Sequence, residues 1–136
     1  MEETERRDVA GKPDNVCLSF TIPTLPPSSN SLYNVLFSQR RVELKPEARL
    51  WKSNAKECIP KWKVAEGARI KVSLEFCGAW YSKEGKMIKK DVTNREKLVL
   101  DAVCEKQGWD DSQVWERCVS KQVSLKEYVS VKLEVI

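Results

Sequence analysis

Lys89 to Val114 reads KKDVTNREKLVLDAVCEKQGWDDSQV. At about 100° per residue, Val92, Val99 and Val103 fall together, and Leu98, Leu100 and Ala102 widen that face. The segment from about Asp91 to Lys106 is therefore predicted to be a largely buried helix, closed by Gly108. Asn94, Lys97 and Asp101 form a narrow polar stripe on the opposite side. Asp91 stands where an N-cap is expected, and Asp110 and Asp111 stand where a turn should begin. Each acidic end has a structural explanation alone. Their joint occurrence around one helix raises a second one. If the chain returns so that the ends meet, two or three carboxylates converge near Lys97. Carboxylate oxygens suit a hard cation such as Mg²⁺, and a metal so held polarises a phosphate and activates water.

Outward from this helix, alternation marks the strands. Val16, Leu18, Phe20 and Ile22 share one face of VCLSFTIP, and Ile70, Val72, Leu74 and Phe76 share one face of ARIKVSLEFCGAWY. SQVWERCVSKQV and EYVSVKLEVI read as two final strands, the latter with Val129, Val131, Leu133 and Val135 on one side. KPEARLWKSNAKECIPKW reads as a helix, with Pro46 in its first turn and Pro60 at its end. The order strand-helix-strand-helix-strand-strand predicts an α/β (α+β) domain, with two helices packed on one small sheet. Residues 1–15 read as a flexible polar tail and 16–136 as the domain.

Composition narrows the chemistry. The 136 residues contain no histidine, which excludes Ser-His and Cys-His catalysis. Five cysteines without a CxxC pair argue against zinc and for reduced thiols. No apolar run approaches a membrane span, and MEETERRDVAGKPDN has no signal-peptide core, so a cytoplasmic protein is expected. The formal charge is +4, and five acids against three bases through Asp14 leave the remainder at +6. Phe37 to Lys63 holds eight bases and three acids. This is compatible with a nucleic-acid surface.

Four motifs in order carry a resemblance over about residues 16–135. LPPSSNSLY (Leu25 to Tyr33) and LKPEARLWKSNA, with Trp51, precede the helix. Within and after it come Asp91, Asn94, Lys97, Leu100-Asp101-Ala102, Asp110-Asp111-Ser112-Gln113 and Lys121. The chain thereby resembles the RusA-type Holliday junction resolvases of bacteria and their phages. The resemblance implies a small mixed β-sheet with two helices packed on it, and a homodimer that cuts four-way junction DNA by symmetric nicks with Mg²⁺, or Mn²⁺ in its place, in a bacterial cell or at its nucleoid. A two-fold dimer supplies two equivalent sites for a two-fold substrate. It implies catalytic roles for Asp91, Asp111, Lys97 and Asn94, and metal ligation by Asp91 and Asp111, with Asp110 and Asp101 as further carboxylates. Lys83, Lys86, Lys89, Lys90, Arg40, Arg41, Lys52 and Lys121 are expected DNA contacts. The family's second catalytic aspartate is Thr93 here, a neutral hydroxyl. The alternative is a junction-binding protein with weakened or no nuclease activity. Asp110 and Asp101 are the expected substitutes; Glu96 is turned toward the buried side.

Overall fold

Ile70, Val72, Leu74 and Phe76 alternate with Lys71, Ser73 and Glu75, and this period-two pattern becomes one of the two inner strands of the main sheet. A computed structural model describes residues 16–27, 33–36, 41–87 and 93–136. Its elements are β1 (Cys17–Ile22), β2 (Tyr33–Leu36), β3 (Arg41–Leu44), α1 (Pro46–Cys58), β4 (Ile70–Gly78), α2 (Thr93–Gln107), β5 (Val114–Val123) and β6 (Tyr128–Val135). A single 3₁₀ turn, Asp111–Gln113, leads into β5.

The main sheet has the order β1-β6-β4-β5. β6 runs antiparallel to both β1 and β4, whereas β5 runs parallel to β4. The sheet is thus mixed, as the resemblance implies. Register aligns the apolar rows: Leu18 opposite Leu133 opposite Val72, and Phe20 opposite Val131 opposite Leu74. These side chains meet Ala48, Trp51 and Ala55 of α1 and Leu98, Val99, Ala102 and Val103 of α2 in one core.

The helices obey the boundaries their residues set. Pro46 occupies the first turn of α1, where its missing N–H costs nothing. The helix stops before Pro60. Gly108 takes φ +74° just past α2, a left-handed position that closes the helix without a Cβ penalty. The C-terminal end of α2 is moored to α1. Lys52 and Lys56 reach the Glu105 carboxylate at 2.6 and 2.8 Å, and the Lys106 ammonium donates to the Lys56 carbonyl at 2.8 Å. Burial works against the charge on Glu105, but the two lysines outweigh it and hold its pKa below the usual carboxylate range. Gln107 accepts from the Trp62 N–H at 2.9 Å and donates to the Pro60 carbonyl at 2.7 Å.

The hairpin β2–β3 was not anticipated. Its strands have four residues each, too short to display a period, and pair Val35 with Val42 in a separate two-stranded sheet. Among the described residues no helix is long and apolar enough to cross a membrane.

Candidate active site

Helix α2 buries Glu96 on the face turned toward β5, where a carboxylate must find a partner. Arg117 of β5 supplies it, at 2.9 Å. Leu100 and Cys104 continue the same line, one turn apart. With Asp111, Val114 and Arg117 they line a depression of ≈ 310 Å³. Glu96 pairs with Arg117, and Cys104 lies by Asp111, so β5 runs antiparallel to α2. The carboxylates on one flank of this depression are felt by the thiol. Burial, then the charges of Asp111, Asp101, Asp110 and Glu105, push Cys104 up to about 11.

All five cysteines are free, Cys17 and Cys118 exposed and Cys77 and Cys104 buried. Alkylation by iodoacetamide at pH 8, read by peptide mass spectrometry, is expected to label Cys17 and Cys118 first. Cys104 should resist until the protein unfolds, since on the order of one thiol in a thousand is ionised there.

The DDSQ sequence divides its labour. Asp110 caps the 3₁₀ turn: its Oδ1 accepts the Ser112 N–H at 2.9 Å, and Gln113 Oε1 accepts the Asp110 N–H at 3.4 Å. The Ser112 backbone and hydroxyl hold the Asp110 carboxyl below its usual range. Gln113 also donates to the Ala68 carbonyl at 3.3 Å, tying the turn to the start of β4. Asp111 is exposed and opens onto the depression. Trp109 packs edge-on against Trp62, centroids 6.0 Å apart, whereas Trp115 is exposed beneath the Arg69 guanidinium.

Lys97 and Asp101 lie one turn apart on the outer stripe, 3.7 Å from each other. Asn94 belongs to the first turn of α2; Asp91 lies outside the described residues. Thr93 to Gln107 rises about 21 Å, and Asp111 follows the far end of the helix by four residues. The N-terminal end of α2 and Asp111 are therefore set at opposite ends of one helix. Among the described residues no group of three potential metal ligands gathers.

Of the expected DNA contacts, Lys83 and Lys86 are exposed in the turn after β4. Lys121 holds its ammonium 5.1 Å from the centre of the Trp80 ring. Lys52 is engaged with Glu105. Arg40, Lys89 and Lys90 lie outside the described residues, as does the side chain of Arg41. The sequence reading passed over Arg117; an acid on the apolar face of a helix was the available signal that a cation waited opposite. It also passed over Arg95, which donates to the Pro26 carbonyl and is drawn below its ordinary range by burial, against the opposing charge of Glu127.

The sequence profile of the family described as endodeoxyribonuclease RusA matches residues 24–134. The chain belongs to the RusA family. RusA-family proteins are nucleases that act on branched DNA junctions in recombination and repair, and they depend in general on a divalent metal. The match spans the proline-rich segment, both helices and the DDSQ turn. No curated protein matches the chain.

Proposed function

We propose that this RusA-family chain is a Mg²⁺-dependent endonuclease that resolves four-way DNA junctions by paired symmetric nicks, acting as a homodimer. The observation that carries the reading is Asp111, an exposed carboxylate at a depression walled by Arg117, in a chain of a junction-nuclease family.

The antiparallel run of α2 and β5 supports a site shared between two copies. β5 is the outer strand of the sheet, with no strand paired on its far side among the described residues. An unpaired edge of ten residues is a template for a second strand. Antiparallel pairing of β5 with its copy, about a two-fold normal to the sheet, carries the partner's Asp111 toward the end of β5 that bears Lys121. That is the end where α2 begins; Asp91 precedes Thr93 by two residues in the sequence. Asp91 of one copy and the partner's Asp111 then serve as the metal ligands, and the partner's Asp110 supplies charge that Thr93 lacks. A hard cation held there would neutralise phosphate charge and activate water. Lys97 and Asn94 act beside it on the phosphodiester. Arg117, held by Glu96, presents a cation to the backbone next to Asp111.

Thr93 favours a second reading, a junction-binding protein with little nuclease activity. A cleavage assay on a four-way junction, with Mg²⁺, with Mn²⁺ and with chelator, set against linear duplex, separates them. Two nicked duplexes appearing only with metal are expected. Junction binding without cleavage in either metal supports the second reading.

A further inference from the structure

Four of the large apolar side chains left exposed by the fold stand at one end of the sheet: Tyr81, Met87, Val123 and Leu125. Tyr81 and Met87 face each other across an antiparallel bridge at the base of the turn after β4. Val123 ends β5, and Leu125 occupies the turn into β6. Met87 and Val123 are 67% and 71% exposed, and with Tyr81 they form a grouped apolar surface of the kind that marks contact sites. With Trp80 and Lys121, Tyr81, Met87 and Val123 line a slot of ≈ 120 Å³.

The slot is built on a rigid base. Trp80 is buried, and its indole N–H donates to the Phe76 carbonyl at 3.1 Å and the Gln122 carbonyl at 2.9 Å. The Ser124 N–H bonds the Gly78 carbonyl at 2.9 Å, tying the β5–β6 turn to the end of β4. The tip itself is tight: the Ser82 N–H donates to the Lys86 carbonyl at 2.7 Å, and Gly85 turns the chain at φ +81°. An aromatic ring, a thioether and a valine are thus held out to solvent at fixed positions.

Charge says what comes to them. Lys83 and Lys86 are exposed on the tip, Lys121 borders the slot and Lys126 sits in the neighbouring turn, with Glu84 the acid on the tip itself. An apolar slot within a mainly cationic rim fits a polyanion that offers a flat apolar face. We infer that this slot receives one unstacked nucleobase at the branch point of the DNA, with Tyr81 and Met87 as its walls and the lysines on the flanking phosphates. The inference rests on the junction reading and deepens it: the slot lies at the same end of the sheet as the start of α2. A base drawn out of the stack there opens the crossover beside the strand to be cut.

The test uses the native protein in chelator, a four-way junction with 2-aminopurine at the branch point, and the double variant Tyr81→Ala, Met87→Ala. Both positions are exposed, so the variant keeps the fold, and its melting temperature verifies this. Native protein is expected to raise the fluorescence severalfold. The variant should lose that rise and bind the junction roughly tenfold more weakly, with its affinity for linear duplex unchanged. An equal rise with the variant overturns the inference. So does an equal loss of junction and duplex affinity, or a shift from dimer to monomer in sedimentation, which would make the patch an interface between copies. Native protein that does not prefer the junction to duplex overturns the junction reading and this inference with it; a preference with unchanged variant fluorescence overturns this inference alone.

Discussion

Asp111→Asn is expected to lower the nicking rate on a four-way junction by roughly a hundredfold or more, with junction affinity unchanged or higher. A metal ion held by such a carboxylate supplies several kcal/mol of transition-state charge stabilisation, and each 1.4 kcal/mol is about tenfold in rate. The amide keeps the size of the side chain but not its charge. Asp111 is exposed and contributes nothing to the core, so the fold should survive. The loss of a negative charge also removes repulsion from DNA phosphates, which is why affinity should not fall. Rates are measured under single turnover with excess protein, and affinity by gel shift in chelator. Undiminished cleavage by this variant would sink the assigned site. The matched Asp110→Asn is expected to loosen the turn, because the Asp110 carboxylate is the cap, and to raise the metal concentration needed for nicking through the lost charge, with a smaller loss of rate than Asp111→Asn.

Phe76→Ala is expected to cost about 3–5 kcal/mol of folding stability, read from the urea midpoint. Phe76 has no exposed surface and lies in β4, flanked on one side by Val129 and on the other by Lys121. Its ring is among the largest side chains fully inside the core, and its carbonyl is one of the two acceptors for Trp80. The cavity left by alanine therefore lies under the strand pairs on both sides of β4. A shift within the error of the native midpoint would mean that the core closes over the gap.

Much of this architecture could be read before any coordinates, where the residues had one physical solution. β4, β6 and β1 alternate cleanly because one face of each is buried and the other is not. α2 declared itself by an apolar face, a polar stripe of Asn94, Lys97 and Asp101, and a closing glycine, Gly108, which the structure sets at φ +74°. β5 was visible only as a run of strand formers. It is an edge strand like β1, but unlike β1 it leaves most of its residues exposed on both faces, and that removes the alternation that marks a half-buried strand. Its parallel pairing with β4 joins segments about 44 positions apart, a choice that side-chain pattern does not encode. The acids of the proposed site stand out in the sequence, but their division of labour does not. DDSQ contains both a metal-ligand pattern and a D-x-x-Q capping box, and only the hydrogen bonds of Asp110 and Gln113 tell which acid serves the turn. Glu96 was read correctly as turned inward; its value lay in a partner, Arg117, twenty-one residues away on another element.

The opposed directions of α2 and β5 have a consequence for mixtures of subunits. If each centre takes the helix start from one copy and Asp111 from the other, defects at the two ends belong to different complementation groups. A dimer formed from one Asp111→Asn chain and one chain crippled at Lys97 gathers both defects into one centre and leaves the other intact. Two preparations, each inert alone, would then recover activity on exchange, and the recovered molecule would nick one strand of a junction without its opposite. Such a half-competent dimer would arrest resolution midway, and a single faulty allele would act on its healthy copy by trapping branched DNA rather than by merely failing to cut it.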